Sequence, residues 1–190
     1  MRVVGLAGWS GAGKTTLLKK LIPELKRRGL SISTVKHAHH AFDIDEPGKD
    51  SFEHRQAGAS EVLVASSGRW ALVHELRAKP EPTLAALLRR LSPVDLVVVE
   101  GFKAEHHPKI EVYRAANAKP FLFRDAPNIH AIAADCGVPD APVPVVPLDD
   151  ISAVAEQALR IALPLGEVVA DLEASSPAQR LPMGRAGGRP

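Results

Sequence analysis

The chain has 190 residues, 45% of them apolar, with 24 Lys and Arg against 22 Asp and Glu. That is enough for one α/β domain with a sizeable core, and the charge balance of +2 excludes a broad basic surface for nucleic acid. A single Cys136 excludes an internal disulfide, and no stretch reaches the roughly 20 apolar residues of a membrane span, so the sequence predicts a soluble cytoplasmic protein.

The apolar run Val3, Val4, Leu6, Ala7 predicts a buried strand, too short for a signal segment. Gly8-Trp9-Ser10-Gly11-Ala12-Gly13-Lys14-Thr15 follows and fits GxxxxGKT. Glycines in this pattern let successive backbone N–H groups converge on one anion, and the next helix adds its positive end. Lys14 then reaches the β- and γ-phosphates, and the Thr15 hydroxyl ligates Mg²⁺. Lys14, Thr15 and Thr16 open a helix with Leu17, Leu18, Leu21, Ile22 and Leu25 on one side and Lys19, Lys20, Lys26 and Arg27 on the other. Pro23 removes a helical N–H and predicts a kink, and Gly29 closes the helix.

Ser31 to Lys36 predicts a second strand. Residues 37–56 are polar, with four histidines and Asp43, Asp45 and Asp50, and predict a functional loop ending in a short helix from Ser51 to Gln56. Glu61–Ala65 and Arg69–His74 flank Ser66-Ser67-Gly68 and predict a β-hairpin at the edge of an otherwise parallel sheet. Thr83–Leu91 predicts a helix. Leu96-Val97-Val98-Val99 predicts a central parallel strand ending at Glu100-Gly101. Lys109–Tyr113 and Ile129–Ala134 are further strands, Pro142–Pro147 an extended edge, and Ile151, Val154, Ala155, Ala158, Leu159 and Ala162 one face of a last helix.

Alternating strands and helices predict an α/β fold of the P-loop NTPase type, a doubly wound and mostly parallel sheet carrying an antiparallel edge hairpin. Residues 1–165 form the nucleotide-binding domain in this reading. Residues 166–190 form a disordered tail, rich in Pro, Gly, Ser and Ala toward its end; without Ala174–Pro190, which holds three arginines and no acid, the net charge is −1.

Glu100 at a strand's carboxyl end lies where P-loop proteins hold Mg²⁺ or its water. Among the loop acids, Asp50 is the favoured second carboxylate, because Mg²⁺ takes oxygen ligands and waters. The catalytic set is therefore Lys14, Glu100 and Asp50, and the metal set Thr15, Glu100 and Asp50. Trp9 to Thr16 hold the phosphates. No Asn-Lys-x-Asp guanine reader is present; Asp135, in Ala133-Ala134-Asp135-Cys136-Gly137 after a strand, is the candidate base reader. His37, His39, His40 and His54 invite a transition-metal reading or one of phosphate contact, and no CxxC supports structural zinc.

The P-loop, Val35-Lys36-His37-Ala38-His39-His40, the stretch Phe42-Asp43-Ile44-Asp45-Glu46-Pro47-Gly48-Lys49-Asp50-Ser51, Arg55-Gln56-Ala57-Gly58-Ala59 and Leu96 to Lys103 together resemble the molybdopterin-guanine dinucleotide biosynthesis protein B family. The likeness runs over roughly residues 1–163, and the His-rich segment with Asp-x-Asp-x-Pro-Gly-Lys-Asp-Ser is its most specific part. The resemblance implies a GTP-binding accessory protein with weak Mg²⁺-dependent GTPase activity. Its partner would be the guanylyltransferase that attaches GMP to molybdopterin, with molybdopterin itself a further ligand. It also implies a homodimer joined through sheets, with hairpin 61–74 as the contact.

Three other readings compete, one of them a nucleotide-gated scaffold without meaningful catalysis, which needs the same binding residues as the adapter. A nickel or zinc metallochaperone GTPase would use His37, His39, His40 and Cys136. A small-molecule P-loop kinase would use Asp43, Asp45 or Asp50 as base.

Overall fold

A computed structural model describes residues 1–38 and 42–175. In chain order the elements are β1 (Arg2–Ala7), α1 (Lys14–Arg27), β2 (Ile32–Lys36), α2 (Asp50–Gln56), β3 (Glu61–Ala65), β4 (Trp70–His74), α3 (Leu84–Leu88), β5 (Leu96–Glu100), β6 (Lys109–Tyr113), β7 (Ile129–Ala134), β8 (Val145–Pro147), α4 (Ile151–Ile161), β9 (Leu163–Pro164) and α5 (Leu165–Ser175). They fall into two compact units, residues 1–37 with 84 onward, and residues 38–83.

The larger unit is a sheet in the order β2-β5-β1-β6-β7-β8, parallel throughout, with β9 pairing antiparallel to the start of β1. Residues alternate across it because strand side chains point to opposite faces. Val4, Leu6 and Val98 pack with Leu17, Leu21 and Leu25 of α1 and Val154 and Ala158 of α4. Val3, Val97 and Val99 pack on the other face with Leu84 and Leu88 of α3 and Val168 and Leu172 of α5. Burial of both faces explains why β5 reads as an unbroken apolar run. Helix α1 continues through Pro23 to Arg27, with Leu21 and Leu25 fully buried around it.

The expected tail from 166 starts too early. Leu165, Val168, Val169 and Leu172 recur at helical spacing, and α5 buries the last three against β1, β5 and α3. Strand β9 leads into it, and Leu165 donates its N–H to the Met1 carbonyl at 3.0 Å. The reading of 176–190 lies outside the described residues.

The smaller unit holds α2 and the hairpin β3–β4. The hairpin forms in the expected register, from Glu61 opposite His74 to Ala65 opposite Trp70. It is a separate two-stranded sheet and not the edge of the parallel one, so residues 1–165 are two units and not one. Val62, 9% exposed, is its one buried apolar residue among those described. With so small a core, a buried arginine takes over the cohesion. Arg55 donates to Asp43 at 2.7 Å, Asp45 at 3.2 Å and Glu75 at 2.7 Å, while Arg77 donates to the carbonyls of Arg55 and Ala59. These bonds raise the pKa of Arg55, Asp43 contributing first, and lower that of Asp43.

Candidate functional site

The loop of residues 8–15 joins the carboxyl end of β1 to the amino end of α1. Gly13 caps α1 in the left-handed region, at φ 90°, where a side chain would be strained. A Cβ there would also stand 3.0 Å from the Arg114 guanidinium. Gly13 supplies no side chain to cap the helix, and the first turn carries no acidic residue. The N–H groups and dipole of that turn are therefore available to an anion.

Parallel pairing of β1 with β5, Leu6 opposite Glu100, sets the second half of the site beside the loop. The buried Glu100 accepts a hydrogen bond from the Thr15 hydroxyl, Oγ1 to Oε1 2.8 Å. Two cis ligands on an octahedral Mg²⁺ stand roughly 2.9 Å apart, given bonds of 2.0–2.1 Å, so this oxygen pair has the spacing of one edge of such an ion's shell. The donor set is hard oxygen, which suits Mg²⁺. Lys36, opposite Glu100 on β2, brings its Nζ to 4.0 Å from the same carboxylate oxygen.

Lys14 turns its Nζ onto the Gly8 and Trp9 carbonyls, each at 2.9 Å. Partial burial holds its pKa below the ordinary lysine value, helped by the charges of Lys103 and Lys36 and opposed by Glu100. Trp9 is fixed at both ends of its side chain's surroundings: its Nε1 donates to the Pro120 carbonyl at 2.8 Å, and the Lys103 ammonium lies 4.8 Å from its ring centroid.

Residues 8–16 and Glu100 are thus brought together at one end of the sheet. Asp135 follows β7, where its carboxylate accepts from the Ala115 N–H at 2.8 Å and faces Arg114 at 3.7 Å. Asp50 belongs to the smaller unit, where it is exposed at the start of α2. Asp43 and Asp45 are occupied by Arg55, so the loop's acids are not equivalent. His37 packs its ring on Phe102, centroids 4.7 Å apart. His39 and His40 lie outside the described residues, and among the described ones no three His, Cys, Asp or Glu side chains come together to hold a metal ion.

Sequence reasoning missed the wall that the segment after β6 builds against the loop. Asn117 donates from Nδ2 to the Ser10 carbonyl at 2.9 Å, and Arg114 lies against Gly13. Neither residue belongs to a motif. One signal was available: Glu111, charged yet predicted to lie in a strand. It is fully buried and accepts from the Leu122 and Phe123 N–H groups at 2.7 and 2.9 Å, fixing the segment that carries Pro120; burial pushes its pKa up.

A parallel sheet with a GxxxxGKT loop after its central strand, and a carboxylate at the end of the adjacent strand, defines a P-loop NTPase-like α/β protein. The profile of Molybdopterin guanine dinucleotide synthesis protein B matches residues 3–135. The chain belongs to this family, MobB. It is 42% identical over 157 residues to the molybdopterin-guanine dinucleotide biosynthesis adapter protein of Escherichia coli K12, covering 81% of this chain and 89% of that one. The Haemophilus influenzae protein of the same description is 45% identical over 121 residues, covering 62% of this chain and 66% of that one. A crystal structure of molybdopterin-guanine biosynthesis protein B superposes with a TM-score of 0.66 at 27% identity, covering 83% of this chain and 98% of the other.

Proposed function

We propose that this chain is a GTP-binding adapter in the formation of molybdopterin guanine dinucleotide, with slow Mg²⁺-dependent GTPase activity. The observation that carries the reading is the Thr15–Glu100 oxygen pair beside Lys14, in a chain whose relatives bear the adapter description. Residues 9–16 would hold the phosphates, Lys14 would leave the Gly8 and Trp9 carbonyls for the β- and γ-phosphates, and Thr15 with Glu100 would hold Mg²⁺ directly or through water. Of the loop acids Asp43, Asp45 and Asp50, Asp50 is the one that Arg55 does not engage. Asp135 reads the guanine. Mg²⁺ held there would supply positive charge against the phosphates. No motif supplies an arginine finger or a water-positioning glutamine, which keeps hydrolysis slow.

The adapter works as a homodimer. Leu63, Leu72 and Trp70 share one face of the hairpin and are 62%, 42% and 65% exposed, an apolar patch that pairing with a second copy would cover. The partner is the guanylyltransferase, with molybdopterin as its substrate.

The test is capture of the guanylyltransferase by wild type and by Lys14→Ala, with GTP, with ATP and without nucleotide. Capture that requires GTP and is lost in the variant is expected. Capture indifferent to nucleotide, or equal with ATP, would overturn the reading.

A further inference from the structure

We propose that Lys103 is the residue with which this chain senses the terminal phosphate of its bound nucleotide, leaving the Trp9 ring to contact the γ-phosphate and so distinguishing GTP from GDP. The proposal deepens the nucleotide reading above and rests on it.

It begins at an outlier in the backbone. Directly after Glu100, Gly101 has φ 96° and Phe102 has φ 49°. A bulky residue in the left-handed region is costly, and such strain persists only where surrounding packing imposes it. Here the packing is visible. The Phe102 ring rests on His37, and the His37 Cβ comes within 2.8 Å of where a Cβ on Gly101 would stand. The His37 N–H also donates to the Glu100 carbonyl at 2.9 Å.

This turn delivers Lys103 to the phosphate loop. Its ammonium lies 4.8 Å from the Trp9 ring centroid, while the Lys14 ammonium bonds the Trp9 carbonyl. Two cations from different elements therefore converge on the second residue of the GxxxxGKT loop, and Lys36 adds a third beside Glu100. Mutual repulsion is part of the arrangement, since Lys103 helps depress the pKa of Lys14. One carboxylate cannot neutralise three ammonium groups. An anion with several charges can, and the nucleotide's terminal phosphates would supply it.

The Trp9 ring is a suitable resting place. An exposed cation–π contact is weak, whereas an ammonium bound to phosphate forms a charge-assisted hydrogen bond. Lys103 thus has a defined position it can leave, and the direction of the exchange is set by the strength of the new bond. A diphosphate lacks the terminal group, so Lys103 gains nothing from it.

The experiment is calorimetry on the full chain with Mg²⁺, titrating GDP and a non-hydrolysable GTP analogue into wild type, Lys103→Met and Lys103→Arg. Met retains an apolar stem on Trp9 without charge. Wild type is expected to bind the triphosphate at least about tenfold tighter than GDP. In K103M the triphosphate affinity should fall about tenfold while GDP stays within about twofold, and K103R should restore most of the difference. An unchanged triphosphate-to-diphosphate ratio in K103M would overturn the Lys103 role alone. An equal loss for both nucleotides would reduce Lys103 to a structural residue and overturn it as well. Failure of wild type to bind either nucleotide would overturn the nucleotide reading and this one with it.

Discussion

The Thr15 hydroxyl and the Glu100 carboxylate meet at 2.8 Å although 85 residues separate them in the chain. Sheet register produces the meeting. Leu6 lies opposite Glu100, so the strand that ends at Glu100 stops beside the loop leaving β1, and the first turn of α1 returns Thr15 to it. The carboxylate therefore has a short, defined partner before any ligand arrives.

Glu100→Gln keeps shape and loses charge. It is expected to weaken Mg²⁺-dependent GTP binding about tenfold to a hundredfold, while binding measured in excess chelator changes little. Calorimetry with and without Mg²⁺ separates the two. Equal losses in both conditions would mean that Glu100 acts on the loop and not on the metal.

Arg55 concentrates the cohesion of the smaller unit in one side chain, since Asp43, Asp45 and Glu75 all bond its guanidinium. Arg55→Met should leave those carboxylates without their cation. Hydrogen exchange is expected to show lost protection in α2, β3 and β4 and unchanged protection in β1 and β5. Acid should act in the same place. The Asp43 carboxyl is held below its ordinary value of 3.8, chiefly by the hydrogen bond from Arg55, so its contribution is present above that pH and fades as pH falls through its lower folded value.

What the sequence made legible follows from local rules. The strand before Gly8, the helix opened by Lys14 and the buried run ending at Glu100 each announce themselves within a dozen residues by apolar spacing, and they carry most of the candidate site. Helix α5 was legible too, through Leu165, Val168, Val169 and Leu172, but the loop-like composition nearer the terminus obscured it. The hairpin was legible as a hairpin and not as a separate sheet, because the partner of an edge strand is a tertiary fact. Arg114 and Asn117 were beyond reach. Their roles depend on which loop lies against Trp9 to Gly13, and sheet order decides that.

Leu63 and Leu72 face each other across β3 and β4 and are both exposed. The double substitution Leu63→Glu, Leu72→Glu places like charges opposite one another on the proposed contact. Light scattering after size exclusion is expected to show a dimer for wild type and a monomer for the variant, with little change in the larger unit's circular dichroism. A wild-type monomer at tens of micromolar would remove the hairpin's assigned role.

His107 gives the larger unit an acid sensitivity of its own. Only 3% exposed, it has neither ring nitrogen hydrogen-bonded, and its Nε2 lies 2.5 Å from where a Cβ on Gly5 would stand, so glycine in the middle of β1 is what admits the ring. Burial first, then the charges of Lys109 and His106, push its pKa down to about 3 from 6.5. The sign follows from proton counting. Between pH 6.5 and 3 the unfolded chain binds a proton at this residue and the folded one does not, so stability falls as pH falls, by at most about 1.4 kcal/mol per pH unit. Urea unfolding of wild type at pH 7 and pH 5 should show this loss, and His107→Leu, which fills a similar volume without a titrating group, should show a smaller one. Parallel losses in the two proteins would assign the acid sensitivity to other groups.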